Sequence, residues 1–301
     1  MTDTFEARVV AAYGRHLQVR DAAGLRHAAR PFGRKLNLVC GDQVRCQHDA
    51  RSGELHVVEV LPRRNALQRS NARGGAELVV ANIDLLVIVL AARPEPDPFM
   101  TDRYLAAAAS GGIAALLVLN KTDLPPSPEL LAQLLVWQGL DYPVLRCAAR
   151  AQLGIAELMV QLSNRTAVFV GQSGVGKSSL LTRLVPEAIV ATGELVRDGE
   201  GRHTTTASQL YELPGGGQLI DSPGVRDFAP AISTLEPRSL GFVEVDRHGV
   251  GCRFQDCRHM HEPQCAVSAA VRSGAIDTRR YESYRRLRRL FTDLTRAQRP
   301  G

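Results

Sequence analysis

Along the first seventy positions the apolar residues come in short runs. Ala7–Ala11, Leu17–Val19, Leu36–Val39, Gln43–Cys46 and Leu55–Leu61 are punctuated by Gly14, Gly24, Gly33, Gly41 and Gly53. Strand-length runs between glycine turns predict a small β-barrel over residues 1–68. Pro62 and the basic stretch Arg63–Arg69 read as a linker. Past residue 75 the rhythm lengthens. Strand-like runs at Ile83–Leu90, Ala114–Leu119, Pro143–Cys147, Ala167–Val170, Gln209–Leu213 and Gln218–Ile220 are interleaved with helix-length segments. Those segments are Pro98–Ser110, Pro128–Trp137, Ile155–Leu162 and Lys177–Leu184. The alternation predicts an α/β domain over 75–230 with a parallel sheet covered on both faces. In 231–301, Tyr281, Tyr284, Leu287, Leu290, Phe291 and Leu294 recur every three or four positions, which predicts an amphipathic helix over Arg279–Arg299. Its eight arginines suit either a solvated face packed on its own domain or a nucleic-acid surface.

Composition narrows the class. The chain has 301 residues, 45% of them hydrophobic and 23% charged, so it can bury a core without disulfides. The longest apolar run, Leu85–Ala92, is far short of the ~20 residues that span a bilayer. Met1–Glu6 shows no basic region leading into an apolar stretch. A cytoplasmic protein with no membrane partner is therefore expected. The net charge of +6 suits an anionic partner. Only three of the 37 basic residues are lysine (Lys35, Lys121 and Lys177), and two of them fall in motifs. Lysine is a slim point charge where arginine is a planar fork, so the two do not interchange in tight phosphate sites.

The first motif is Gly171-Gln172-Ser173-Gly174-Val175-Gly176-Lys177-Ser178, followed by Ser179. It matches the phosphate-loop pattern and lies between a predicted strand and a predicted helix, the context the pattern requires. Its glycines let backbone N–H groups converge on a β-phosphate at a helix N-terminus. Lys177 is placed to reach the β- and γ-phosphates and Ser178 to bind Mg²⁺. Asp221-Ser222-Pro223-Gly224 follows the strand Gly217–Ile220. Asp221 is placed to hold Mg²⁺ through water, and Gly224 to offer an N–H to a γ-phosphate.

The second motif is Asn120-Lys121-Thr122-Asp123, after the strand Ala114–Leu119. The Asp123 carboxylate can accept from both N1–H and the exocyclic amine of guanine. Adenine lacks both donors and would leave that carboxylate desolvated and unpaired. The Lys121 stem can cover the base. Cys147-Ala148-Ala149-Arg150 stands where GTPases carry a Ser-Ala-Lys-like loop touching guanine O6. A thiol is a weak donor, so contact there is expected from backbone. In most GTPases the phosphate loop precedes the base motif. Here the base motif lies at 120 and the phosphate loop at 171, so the domain reads as circularly permuted. The candidate switch segments at 186–208 and 221–230 then lead directly into the C-terminal region, where an ordered γ-phosphate could reposition it.

The third motif is Cys252-x4-Cys257-x-His259-x5-Cys265, a Cys3His set with no open position, as in a structural zinc site. His261 is an alternative fourth ligand. Cys40, Cys46 and Cys147 lie in strand-like runs and are expected to be buried free thiols.

These motifs, in this order and with Gly201-Arg-His-Thr-Thr-Thr206 between the phosphate loop and Asp221, resemble the ribosome small-subunit-dependent GTPase A family. The resemblance covers nearly the whole chain. It implies a multidomain protein: an N-terminal OB barrel, a circularly permuted α/β P-loop GTPase domain and a C-terminal zinc finger, here 231–301 with its basic helix. It implies GTP hydrolysis stimulated by the small ribosomal subunit, a late role in that subunit's maturation, and contact with its rRNA. It favours His259 over His261 as the zinc ligand. Departures are Cys147 for the usual Ser, and Thr182-Arg183 where an apolar residue and Asn are more usual. Val225 stands where many GTPases place a water-orienting Gln. The family's proposed switch histidine matches His203, which titrates near neutral pH and could position water. Arg202 or a partner's charge is the alternative source of transition-state stabilisation. Thr205 is the chosen Mg²⁺ ligand of the GTP state. A monomer is expected. The competing reading is a nucleic-acid-binding protein whose nucleotide site does not turn over; Lys177, Ser178 and Asp221 argue against it. An ATPase is the third reading, and Asp123 argues against that.

Overall fold

The computed structural model describes residues 4–14, 16–33, 36–49, 52–71, 75–185, 208–222 and 229–297. Five strands, β1 (Thr4–Tyr13), β2 (His16–Asp21), β3 (Arg26–Pro31), β4 (Gln43–His48) and β5 (Leu55–Val60), close a barrel in the order β1-β2-β3-β5-β4, with β4 returning to β1. Val9, Leu17, Val19, Val44, Cys46, Leu55 and Val57 fill it. Two sequence expectations are corrected here. Leu36–Val39 forms no strand; the third barrel strand is Arg26–Pro31. Only Ala29 of that strand is buried, so it carries no alternation of large apolar residues to read. Nor is all of 63–69 a linker. Residues Ala66–Ser70 are β6, antiparallel to β7 (Ala76–Ala81).

The α/β sheet runs β10-β9-β8-β11-β13-β12, built from β8 (Leu85–Ala91), β9 (Ala114–Asn120), β10 (Val144–Arg146), β11 (Thr166–Val170), β12 (Ser208–Glu212) and β13 (Gln218–Asp221). Neighbours are parallel except β12 on β13. Every residue of β8 is buried. Its alternate side chains feed two cores, Leu86, Ile88 and Leu90 on one face and Leu85, Val87 and Val89 on the other, as the pleat requires. Helices α1 (Pro98–Ser110) and α2 (Pro128–Gln138) start at side-chain caps, Asp97 on the Phe99 N–H and Ser127 on the Leu130 N–H. The remaining helices of this unit are α3 (Ile155–Leu162) and α4 (Lys177–Leu184). The barrel is joined to this sheet: β1 pairs with β12 through Ala11–Gln209 and Ala12–Ser208. Arg8 also reaches Gln218, Thr166 and the Asn82 carbonyl.

The C-terminal unit holds α5 (Val243–Gly249), α6 (Ala266–Arg272) and α7 (Thr278–Ala297). It shares an apolar core with Phe99 and Ala106 of α1, and it is also joined to the α/β unit by a buried ion cluster. Asp102 of α1 accepts from Arg279, Arg280 and the Trp137 indole, and Arg280 also grips Glu244 at 2.7 and 2.9 Å. Much of the basic character of α7 is therefore turned inward. Arg288 is buried on the Pro237 and Arg238 carbonyls and the Tyr284 hydroxyl. Arg286 lies 3.9 Å from the Phe99 ring centre. Arg289 and Arg296 face solvent.

Candidate functional site

The phosphate loop leaves β11 at the centre of the sheet. Gly171 has φ +136°, and a Cβ there would lie 2.3 Å from the Val89 carbonyl oxygen; at Gly176, with φ +97°, it would lie 2.3 Å from the Asn120 amide nitrogen. No other residue fits those two backbone positions. Lys177 is buried, and its ammonium donates to the carbonyls of Gly171 and Gln172.

The base motif ends β9 two strands away, and its side chains cross to the phosphate loop. Asn120 donates to the Val175 carbonyl at 2.9 Å and accepts the Ala149 N–H at 3.2 Å. Lys121 donates to the carbonyls of Gly174 at 2.6 Å and Arg93 at 2.9 Å. Thr122 donates through both N–H and hydroxyl to the Cys147 carbonyl. One cavity of about 660 Å³ is lined by Lys121, Asp123, Ala149, Arg150, Ser173, Gly174, Lys177, Ser178 and Ser179, among others. The two motifs, some fifty residues apart in sequence, thus share one site large enough for a nucleotide.

Asp221 ends β13 beside Lys177 and Ser178 in a narrow crevice. The next residue, Ser222, is buried and accepts from the Ser208 hydroxyl at 2.7 Å. His203, Arg202, Thr205, Gly224 and Val225 lie outside the described residues. Cys147 is buried and its thiol donates to the Gly154 carbonyl at 3.3 Å; burial pushes that thiol up to about 11. Cys40 and Cys46 are buried free thiols as well. Sequence reasoning missed one contact in this region: Arg183 of α4 donates through Nε to the Ala149 carbonyl at 3.1 Å. Its only signal was the departure from the family pattern at Thr182-Arg183.

The Cys/His motif is brought together in space. The ligand atoms of Cys252, Cys257, His259 and Cys265 all lie within 4.8 Å of one another, and His261 is exposed outside the group. His259 turns Nδ1 toward the Cys252 and Cys265 sulfurs at 3.4 and 3.5 Å, and those two sulfurs are 3.9 Å apart. Tetrahedral zinc gives sulfur–sulfur edges of about 3.8 Å and sulfur–nitrogen edges of about 3.6 Å. The donor set therefore fits such an ion in chemistry, and Cys252, Cys265 and His259 fit it in spacing. Burial holds the His259 imidazole below its ordinary value, keeping it in the neutral form a metal needs. Burial raises Cys265, but hydrogen bonds from Ser268 and the neighbouring thiols outweigh it and bring the group down. Beside the cluster, Glu262 accepts the N–H groups of Arg258, Met260 and His261. Burial opposes its charge, yet these donors draw the carboxyl down to about 2.

A strand-to-loop phosphate cradle, a base motif crossing to it and a sheet order with the cradle strand central define a GTPase-type P-loop domain whose loops occur in permuted order. The family model for RsgA GTPase matches residues 60–230. The small ribosomal subunit biogenesis GTPase RsgA of Chromohalobacter salexigens is 43% identical over 289 residues, spanning 93% of this chain and 84% of that protein. The crystal structure of YjeQ from Thermotoga maritima matches with TM-score 0.73 at 29% identity, over 99% of this chain and 100% of that one. YloQ, described as a circularly permuted GTPase, shares the fold with TM-score 0.70 at 23% identity, over 99% and 98% of the two chains. The chain belongs to the RsgA GTPase family.

Proposed function

We propose that this protein hydrolyses GTP in the service of small ribosomal subunit assembly, with turnover stimulated by that subunit. The observation that carries the reading is the single cavity in which Asp123 and Lys121 meet Lys177 and Ser178. In it Asp123 reads guanine, Lys121 flanks the base, and residues 171–179 hold the phosphates. Ser178 and Asp221 bind Mg²⁺, with Thr205 completing the set in the GTP state, and His203 orients the attacking water. Preorganised N–H groups and a cation at the phosphates supply the electrostatic part of catalysis. Cys252, Cys257, His259 and Cys265 hold one structural zinc, which ties α5 and α6 together rather than taking part in chemistry. The barrel at 1–68 and the zinc unit at 231–301 flank the GTPase domain at 75–230 and contact rRNA, consistent with the net charge of +6. The protein works as a cytoplasmic monomer. Among the described residues, no helix is long and apolar enough to cross a membrane.

The test is GTP hydrolysis with and without purified small subunits, with Lys177→Ala as the control. Stimulation by small but not large subunits, lost in the control, is the expected result. Absence of stimulation by small subunits would end the ribosomal assignment.

A further inference from the structure

We infer that Arg183 sets guanine specificity from outside the cavity: by holding the Ala149 carbonyl, it aims the Arg150 backbone N–H at the guanine O6. The inference rests on the guanine reading proposed above and on the backbone contact to O6 expected from the 147–150 loop, and adds the residue that orients that loop.

Asp123 can satisfy N1–H and the exocyclic amine, but O6 is an acceptor and needs a donor. The candidates in the 147–150 loop are soon exhausted. The Cys147 thiol is buried and committed to the Gly154 carbonyl. The Cys147 N–H donates to Leu119, and the Ala148 N–H to Leu153. The Ala149 N–H is taken by Asn120 Oδ1. The Arg150 N–H and its exposed guanidinium remain, and of the two only the N–H is held in place by the main chain; among the described residues no backbone group accepts it. Ala149 and Arg150 both line the cavity that holds Asp123.

The direction of that N–H is fixed by covalent geometry. The Ala149 carbonyl and the Arg150 N–H belong to one planar trans peptide and point in opposite directions. Arg183 Nε takes the carbonyl at 3.1 Å, and Arg183 itself is not part of the cavity wall. Arg183 draws the oxygen toward the last turn of α4, away from the Lys177–Ser179 end that lines the cavity, and the hydrogen then turns toward the cavity. Arg183 is thus a positioning residue: it touches no nucleotide atom and acts through one peptide plane. It also couples the phosphate-loop helix to the base loop, because α4 begins at Lys177.

The test compares GDP with 6-thio-GDP, which keeps N1–H and the amine and weakens only the acceptor at position 6. Affinities are read by competition against a fluorescent GDP analogue. Two variants separate the hydrogen bond from the charge. Arg183→Gln places an amide N–H at the chain position of the guanidinium Nε, whereas Arg183→Met has similar length and no donor. Wild type and Arg183→Gln should prefer GDP by about three- to tenfold, the usual worth of one neutral hydrogen bond. In Arg183→Met that preference should collapse toward unity through weaker GDP binding, with 6-thio-GDP affinity unchanged. Equal weakening of both ligands would mark a merely structural arginine and overturn the inference. So would an unaltered ratio in Arg183→Met, or a wild type indifferent to position 6. A wild type that binds ADP as tightly as GDP would instead sink the guanine reading itself.

Discussion

Replacing Asp102 by Asn tests whether the buried ion cluster holds the C-terminal unit to the α/β unit. Asp102 has no exposed surface, and Arg280 is 1% exposed. Asn keeps the volume and an oxygen for the Trp137 indole, while it removes the charge and turns an amide NH2 toward Arg279 in place of an acceptor. At an effective dielectric of about 20, charges roughly 4 Å apart attract by about 4 kcal/mol. Breaking buried pairs by removing one partner typically costs about 3–5 kcal/mol, because the other charge is left in a dry site. Glu244 still compensates Arg280, which places the expected loss near the lower figure, about 3 kcal/mol. The assay is built into the molecule. Trp137 is the only tryptophan, and its N–H donates to Asp102 at 2.8 Å, so its fluorescence reports this junction during urea unfolding. With slopes of about 1–3 kcal/mol per molar, the midpoint should fall by about 1–3 M. A loss below about 1 kcal/mol would refute the reasoning, since it would mean that the charge of Asp102 contributes little to docking α7.

Three further outcomes follow from the same structure. Acid should loosen this junction: burial would raise the Asp102 carboxyl, but Arg280 and Arg279 hold it below its ordinary 3.8. The stabilisation it brings is full above the ordinary value and is lost as pH falls through the depressed one, so the Trp137 midpoint should drop below about pH 4 in wild type, with a shallower acid limb in Asp102→Asn. Cys257→Ser should lower bound zinc, measured by elemental analysis, from about one ion per chain to a small fraction, while GDP affinity changes less than about threefold; unchanged zinc content would count against the four-ligand set. Asp123→Asn should exchange guanine for xanthine preference, because the amide can donate to the carbonyl that xanthine carries in place of the amine; competition between GDP and XDP reads the swap, and a retained GDP preference would show that another group reads the base edge.

The candidate sites of this protein were legible in the order of its residues because nucleotide cradles and metal-ligand clusters are local. A glycine-rich turn needs positive φ and close backbone approach within a few residues, and the Cys/His group falls within one short stretch, Cys252–Cys265. The α/β alternation was equally plain, since β8 is apolar throughout and the helix-length segments Pro98–Ser110 and Pro128–Trp137 alternate with strand-like runs. The barrel strand β3 escaped notice because closure, not hydrophobicity, recruits it; β1–β2 and β4–β5 leave a gap that its backbone fills. The β6 stretch looked like a linker because its pairing partners include Ala229 and Ala231, more than 150 positions away. The arginines of α7 show the same limit. Their spacing reveals an amphipathic helix, but whether a guanidinium meets solvent, a carbonyl or Asp102 depends on what packs against it. Sequence by itself determined the local candidates: the glycine-rich loop, the Asn120–Asp123 motif and the Cys/His group. Tertiary structure alone decided the pairings across long separations, Asn120 on Val175, Arg183 on Ala149 and Arg280 on Asp102, because a side chain's long-range partner is set by packing and not by its neighbours in the chain.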